Sequence, residues 1–254
     1  MKRVVAVLLC LLAIAPLFAD PDFKAMLRKV DALVTFTDSD FSAEYTIDQI
    51  KPGEGKNSTV AAIFRRDAEQ KYLILVLQPQ PDRGKGYLKI DDNFWLYDPI
   101  SRAFTFTSAK ERFQNSNARN SDFTRSTFAT DYSITGSRRE KLGKFDCWVL
   151  DLKAKSDSVT FAITKLWISD DNLIRKKEDY SLSGQILRTT AIPSYQQVGA
   201  HFVPVSMIIL DNLQGRMVNG SFVNDRTVIT IMKPSLERLP DALFSKAYLE
   251  KFAK

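Results

Sequence analysis

Histidine and cysteine are scarce in this sequence. Its 254 residues include one histidine, His201, and two cysteines, Cys10 and Cys147. Zinc sites are built largely from these residue types, and the general base of a hydrolase is most often a histidine. The motifs G-x-S-x-G, H-E-x-x-H and C-x-x-C and a glycine-rich phosphate loop are also absent. We therefore predict that the protein is not an enzyme, and that it binds neither a metal nor a cofactor.

The single histidine leaves one catalytic alternative open. His201 begins a predicted strand, where a surface histidine bonded to water or backbone is more common than a catalytic one. A serine or threonine acting with His201 and a carboxylate would nevertheless make a lipid hydrolase. That hypothesis is kept beside the non-catalytic interpretation.

The N-terminus has the pattern of a secretory signal. Lys2 and Arg3 precede an uncharged apolar run over residues 4–14, and a short segment follows that ends at Ala19. We predict a signal peptide at 1–19, with a retained anchor or lipidation at Cys10 as alternatives. No linker or repeat divides the remainder, so we expect a single lipid-binding domain at 20–254. It would contain one cysteine, Cys147, and no internal disulfide.

The charge pattern argues against a nucleic-acid partner. The formal net charge is +6, and most lysines and arginines stand singly along predicted strands. Nucleic-acid binding would favour a basic stripe with interleaved stacking aromatics, and the sequence has none. This charge allows a weak, transient contact with an anionic membrane.

Two helices are predicted at the ends of the mature chain. Apolar residues recur at helical spacing over 22–35, after the cap Asp20-Pro21-Asp22. A second helix is predicted in 239–252. Between them, a segment over 114–125 has few apolar residues and is predicted to be a mobile loop, with a short helix at 122–129.

Alternating runs separated by turn residues predict the β-structure. Such a series of hairpins indicates an antiparallel sheet that is strongly curved or closed. A turn is expected at 212–215, between the last two strands. The runs lie at 41–47, 58–66, 71–77, three within 84–106, and then at 134–142, 145–153, 159–168, 173–181, 185–195, 202–210 and 221–232.

The surplus of aromatic residues suggests a cavity. The chain contains 17 Phe, 8 Tyr and 3 Trp, and several strands are apolar on both faces. A β-sandwich with scattered surface aromatics would explain this, and so would a sheet curved around a lipid. Alternation groups the side chains within each strand without saying which face is inside. The predicted cavity-lining residues are Tyr72, Ile74, Val76, Trp95, Tyr97, Phe104 and Phe106.

Several stretches together resemble one family. They are the secretory leader, Gly86-Tyr87-Leu88 with Trp95-Leu96-Tyr97-Asp98-Pro99, the insert near Ser121-Asp122-Phe123, Phe202-Val203-Pro204, and the ending Leu239-Pro240-Asp241 with Phe244 and Leu249. With these features the chain resembles the LolA/LolB-like superfamily of periplasmic lipoprotein carriers. The resemblance implies a mainly β fold: an open, incomplete antiparallel β-barrel of about eleven strands, covered by helices.

The resemblance also implies a function. It suggests a periplasmic protein, with membrane association as an alternative location, that binds lipid or lipoprotein acyl chains in a hydrophobic cavity and transfers them between membranes. The implied partners are acylated cargo and an inner-membrane transporter or an outer-membrane acceptor. An envelope-stress sensor or regulator on the same fold is the principal alternative.

Overall fold

One antiparallel sheet of thirteen strands dominates the part of the chain that the structure describes. The structure is a computed structural model that describes residues 20–252, so the predicted signal peptide lies outside the described residues. The predicted fold class, an open antiparallel β-barrel with helices, is confirmed. The strand count of about eleven implied by the resemblance is too low. Each of the thirteen strands overlaps a run predicted from alternation.

The helices are short compared with the strands. No helix within residues 20–252 is long and apolar enough to cross a membrane. The helices are α1 (Phe23–Val34), α2 (Phe128–Asp131) and α3 (Lys246–Phe252). The strands are β1 (Phe41–Lys51), β2 (Gly55–Arg66), β3 (Lys71–Gln78), β4 (Gly86–Ile90), β5 (Asn93–Asp98), β6 (Ala103–Thr107), β7 (Tyr132–Leu142), β8 (Phe145–Ala154), β9 (Ile163–Ser169), β10 (Ile174–Tyr180), β11 (Ile186–Val198), β12 (His201–Val218) and β13 (Ser221–Ser235).

The sheet has two halves that meet at its centre. Its strand order is β6-β5-β4-β3-β2-β1-β13-β12-β11-β10-β9-β8-β7, so the first strand of the domain pairs with the last. Each half is otherwise a series of neighbouring antiparallel strands. β6 and β7 are the two edges and do not pair with each other, which leaves the barrel open.

The inner face of the sheet is defined by the elements that pack on it, α1 and the insert between β6 and β7. α1 begins after Asp22, whose carboxylate accepts a hydrogen bond from the Ala25 amide at 2.9 Å, a normal N-cap. Leu27 and Val30 of α1 are buried against Leu150 and Leu166 of the sheet. The predicted amphipathic helix therefore covers the inner face of β8 to β10.

The insert corrects the prediction of a mobile loop. Between β6 and β7 the chain enters the inner face, where Phe113 and Phe123 are buried in the core formed by β1 to β5, β12 and β13. Asn117 and Asn120 are buried as well. The predicted helix at 122–129 is replaced by a 3-10 turn, Asn120–Phe123, and by α2. The segment is polar because it makes buried hydrogen bonds, not because it is solvated.

The outer face of β3 to β6 has its own core. Leu243, Phe244 and Leu249 of the C-terminal segment are buried there against Leu73 and Leu88. α3 therefore packs on the outside of the sheet and does not cover the inner face. This second core explains why β3 to β5 are apolar on both faces.

Gly86 is the position where the C-terminal segment approaches the sheet most closely among the glycines of the described chain. A Cβ placed on Gly86 of β4 would overlap the side chain of Leu249, which is fully buried. We expect Gly86→Ala to lower the free energy of unfolding by about 1 to 3 kcal/mol, the usual range for overpacking. Chemical denaturation followed by circular dichroism measures this.

A double-mutant cycle tests the cause of that loss. Shortening Leu249 to Ala vacates the space, so Gly86→Ala should cost much less in the Leu249→Ala background than in the natural chain. Equal costs in both backgrounds would contradict the contact.

Candidate functional site

A cavity of about 760 Å³ lies on the inner face of the sheet. It is bounded by α1, the insert and strands that include β1, β3, β5 and β10 to β13, and its volume falls in the range of about 300 to 1,000 Å³ typical of ligand sites. Aromatic and aliphatic side chains form much of its wall. They include Val30, Val34, Phe36, Phe41, Tyr45, Tyr72, Phe94, Ile174, Ile192, Phe202, Val203, Met207, Ile209 and Ile231.

The buried part of this wall carries neutral hydroxyls and paired charges. Tyr45 and Tyr72 are buried in the core, and burial raises the pKa of Tyr45 to about 12 and that of Tyr72 still further. Both hydroxyls are therefore protonated at neutral pH. The buried charges nearest to them, Arg65 and Asp67, neutralise each other, with the Arg65 Nε donating to the Asp67 carboxylate at 3.0 Å.

The mouth of the cavity is polar. Its exposed lining residues include Gln70 and Asp92, at the turns that follow β2 and β4. Half-buried Lys89 lies beside them, and its ammonium donates to the carbonyl of Gln70 at 3.0 Å. Burial lowers the pKa of Lys89 from its ordinary value. The cavity thus combines a largely apolar interior, in which buried charges such as Arg65 and Asp67 are paired, with polar and charged groups at its mouth, as an amphiphile requires.

A buried charge cluster holds the insert against the sheet. The guanidinium of Arg188 on β11 donates two hydrogen bonds to Asp122 of the insert, both at 2.7 Å. Its Nε donates to Asp179 on β10 at 2.6 Å, and Asp179 also accepts from Thr164 at 2.9 Å. The guanidinium lies 4.5 Å from the centre of the Phe161 ring. Asp122 and Phe161 line the cavity, so this cluster fixes part of its wall.

The electrostatics of the cluster favour its ionised form. Burial alone would raise the pKa of Asp122, but attraction to Arg188 and hydrogen bonds from Arg188 and the Arg119 amide outweigh it and lower the pKa to about 2. Arg188 is buried too, and its carboxylate partners raise its pKa. Both groups are charged at all ordinary pH values.

Further hydrogen bonds attach the middle of the insert. The Asn117 amide donates to Thr227 of β13 at 2.8 Å and to Gln49 of β1 at 3.2 Å. The Arg112 guanidinium donates to Asp211 of β12 at 2.7 Å. The insert is therefore bonded to both halves of the sheet.

The structure separates the seven predicted lining residues by face. Tyr72 lines the cavity. Ile74 and Val76 share its face of β3, but they are fully buried in the core behind the insert and do not reach the cavity. A role for Tyr72 in ligand binding stays a prediction.

The other four predicted residues lie on the outer face, so their placement in the cavity is corrected. Trp95, Tyr97 and Phe104 belong to the core under the C-terminal segment. Phe106 stacks on Trp95 with ring centroids 3.6 Å apart, and Phe106 itself is exposed. Alternation grouped these side chains correctly, since Trp95 pairs with Phe106 and Tyr97 with Phe104. It could not show that the C-terminal segment covers this face.

Sequence reasoning missed most of the actual lining. Phe41 and Tyr45 line the cavity from β1, and Val30 and Val34 from α1. The alternation of Phe41 and Tyr45 and the stripe on α1 were both visible in the sequence. What was missing was the pairing of β1 with β13, which brings these elements to the centre of the sheet.

His201 makes a structural contact. Its Nε2 lies 2.9 Å from a carboxylate oxygen of Asp38, and its ring packs edge-on against Phe36. Within residues 20–252, no serine or threonine hydroxyl is hydrogen-bonded to either ring nitrogen. The described residues also contain no cluster of histidine, cysteine or carboxylate side chains that fits a metal ion. The cavity is therefore the candidate site.

Comparison with solved structures identifies the fold as that of the LolA superfamily. A LolA superfamily protein from Nitrosomonas europaea is 23% identical, with a TM-score of 0.74 over 89% of this chain and 98% of its own. A domain from Vibrio parahaemolyticus described as an outer membrane lipoprotein-sorting protein is 17% identical, with a TM-score of 0.77 over 89% and 97%. A DUF1329 family protein from Desulfovibrio piger is 18% identical, with a TM-score of 0.76 over 89% and 97%.

The family assignment rests on the sequence. A family model with the description "Uncharacterized protein" matches residues 68–251, and the chain belongs to that family. The comparison with curated proteins found no match. The solved structures define a LolA-like β-fold, as the sequence resemblance implied.

The Arg188 cluster generates a prediction about stability. Replacing Asp122 by Asn removes one charge from a buried pair, and we expect this to lower the free energy of unfolding at pH 7 by about 3 kcal/mol. Asp170 pairs with Arg139 at 2.9 Å on the surface, with much of its side chain exposed. The matched change Asp170→Asn should cost less than about 1 kcal/mol. Urea denaturation of both variants measures the difference.

The pH dependence of the free energy of unfolding provides the control for this prediction. The pKa of Asp122 is about 2 in the folded protein and about 3.9 when unfolded. Ionised Asp122 therefore stabilises the fold fully above about pH 4, and this stabilisation is lost as the pH falls towards 2. The stability gap between the natural chain and Asp122→Asn should narrow over that window. A gap that stays constant would contradict the ionised pair.

Proposed function

We propose that the protein is a periplasmic carrier that binds the acyl chains of lipids or lipoproteins and transfers them between membranes. The observation that carries this proposal is the cavity of about 760 Å³ inside a LolA-like fold. In this proposal residues 1–19 are the export signal and 20–254 the lipid-binding domain. Binding involves no covalent catalysis.

The interior of the cavity supports an alkyl ligand. Burying a CH₂ group contributes roughly 0.8 kcal/mol, so a chain of fourteen carbons gains on the order of 10 kcal/mol before the costs of association and ordering. The buried tyrosines Tyr45 and Tyr72 and the aliphatic side chains around them offer such a chain an apolar surface. A strongly polar ligand would gain little there.

The polar mouth supports an amphiphile over a plain hydrocarbon. A headgroup at Gln70, Lys89 and Asp92 would stay in contact with water while its chain lies inside. Lys89 offers a cation whose hydrogen bonds go to backbone carbonyls and not to a carboxylate. This arrangement suits a lipid headgroup or the acylated end of a lipoprotein.

The fixed insert and the open mouth of the cavity determine the route by which cargo is loaded. The insert is bonded to both halves of the sheet through buried groups, so it acts as a wall of the cavity in this proposal and not as a freely moving lid. Cargo would enter and leave at the mouth formed by the turns after β2 and β4. An inner-membrane transporter that loads cargo there and an outer-membrane acceptor that receives it are the partners this cycle requires.

Narrowing the cavity tests the proposal. Met207 of β12 is half-buried and lines the cavity, so Met207→Trp should fill part of the volume and weaken binding of palmitate at least about tenfold. Met232 of β13 is 37% exposed and lies outside the cavity wall, which makes Met232→Trp the matched control. Equilibrium binding of radiolabelled palmitate measures both.

A lipopeptide ligand extends the test from a fatty acid to acylated cargo. A synthetic triacylated lipopeptide should bind to the natural chain and to Met232→Trp, and should compete with palmitate. Failure of both ligands to bind the natural chain, or equal binding by both variants, would contradict a carrier that uses this cavity.

A further inference from the structure

The β12–β13 hairpin extends beyond the sheet. The sequence predicted a turn at 212–215, but β12 continues to Val218 and the turn lies at Asn219-Gly220. The Asp211 carboxylate accepts hydrogen bonds from the amides of Leu213 and Gln214, at 2.9 and 3.1 Å. The five-residue step from Leu210 to Gly215 thus faces a two-residue step on β13, from Arg226 to Asn224. The local Asp motif forms a bulge within a strand and not the end of one.

Beyond this bulge the hairpin is a two-stranded ribbon. Pairing of β12 with β11 ends at Asp211, and pairing of β13 with β1 ends at Arg226. Residues 215–218 pair with 221–224 and with no other strand of the described chain. An isolated two-stranded hairpin is marginally stable in water, so its surface chemistry requires an explanation.

Apolar side chains are exposed on both faces of the ribbon. Met217 and Phe222 form a cross-strand pair on one face and are 61% and 54% exposed. Val218 and Val223 lie on the opposite face, by the alternation of a strand, and are 37% and 42% exposed. Leu213 in the bulge is 52% exposed. Five of the exposed large apolar side chains of the described chain are therefore concentrated on one hairpin.

The ribbon is built to keep this conformation. Gly215 faces the Phe222 ring, and a Cβ on Gly215 would lie 2.8 Å from its Cζ and overlap the carbonyl of Val223. Arg216 at the root of the ribbon donates to Glu54 of the neighbouring β1–β2 turn at 2.7 Å. These contacts attach the root to the sheet and leave the apolar tip free.

We propose that this hairpin tip inserts into the interfacial region of a phospholipid bilayer that contains anionic lipids. A folded protein partner would cover one face of a flat ribbon, whereas an interfacial lipid layer surrounds both faces. The free outer edges of the ribbon have unpaired backbone groups, which keep it out of the hydrocarbon core and limit it to shallow insertion. Only a short turn of Asn219 and Gly220 crosses the tip.

The charge around the root complements an anionic surface. Lys51 and Lys56 lie on the adjoining arm of β1–β2, and Arg226 follows the ribbon on β13. Exposed Arg226 forms no ion pair within residues 20–252. With Arg216 they make four cations, set against the three carboxylates Asp48, Glu54 and Asp225. Each cation near an anionic bilayer adds to its attraction.

This contact is separate from the cavity. Phe41 and Tyr45, in the first half of β1, line the cavity, while Ile50 near the other end lines a separate groove with Val218 and Phe222. Nine steps along the strand, about 30 Å, separate Phe41 from Ile50, and five steps, about 17 Å, separate Tyr45 from it. Membrane docking by the hairpin and lipid binding in the cavity can therefore fail independently in experiments.

Vesicle flotation tests the proposal. Protein purified from the soluble fraction of cells that express the full chain would be mixed with vesicles of phosphatidylcholine, with and without 30% phosphatidylglycerol. We expect flotation with the anionic vesicles that weakens as salt is raised. Met217→Ser/Phe222→Ser should reduce the bound fraction about tenfold or more, because it removes the exposed pair from one face.

A matched phenylalanine elsewhere provides the control. Phe106 on the edge strand β6 is 70% exposed, so Phe106→Ser removes an equally accessible ring outside the hairpin. It should float like the natural chain, and circular dichroism should show all variants folded. No flotation of the natural chain, or equal losses in Phe106→Ser and the hairpin variant, would overturn the proposal. A dimer in size-exclusion chromatography that only the hairpin variant dissolves would assign the surface to a second copy instead and would equally overturn it.

Discussion

The buried charge cluster around Arg188 is the interaction on which the interior of this molecule depends. A guanidinium removed from water must be paired, and its two carboxylate partners come from different parts of the chain, Asp179 in the sheet and Asp122 in the insert. The pair therefore determines where the insert lies. Because the insert occupies one part of the inner face and leaves another part open, the same contact determines where the cavity begins.

The apolar surface of the sheet is covered in different ways on its two faces. On the outer face of β3 to β6, the C-terminal segment brings Phe244 and Leu249 against the strands and forms a closed core. On the inner face, α1 and the insert cover the sheet without filling it. An aromatic-rich chain of this kind thus divides its surplus between a second core and a cavity wall, and composition alone does not distinguish the two.

The sequence predicted the strands well, but it did not predict which elements pack on each face of the sheet. Period-two alternation reports on each strand separately, so all thirteen strands were found and Trp95, Tyr97, Phe104 and Phe106 were grouped correctly. Their side of the sheet depends on the C-terminal segment, more than 130 residues further along the chain, and no local pattern contains that information.

Polar segments were misjudged for a related reason. The insert and the bulge at Asp211 both have the composition of solvent-exposed loops. In the structure several of their polar groups bond to distant partners, as when the Asn117 amide donates to Thr227 and the Arg112 guanidinium to Asp211. Polarity in a sequence shows that hydrogen bonds are needed, but not whether water or protein supplies them.

The cavity and the hairpin would serve successive steps of one process if the proposals hold. Shallow docking by Met217 and Phe222 would bring the protein to a bilayer, and the cavity would shield an acyl chain between bilayers. The two sites lie towards opposite ends of β1, so docking leaves the mouth accessible to a partner protein.

Native mass spectrometry of the gently purified protein tests the central claim most directly. The account predicts a population heavier than the bare chain by the mass of a lipid or an acylated peptide, which collisional activation releases. It also predicts that a delipidated sample regains mass when a triacylated lipopeptide is added. A bare chain that acquires no mass under either condition would contradict the proposal that this cavity holds acyl chains.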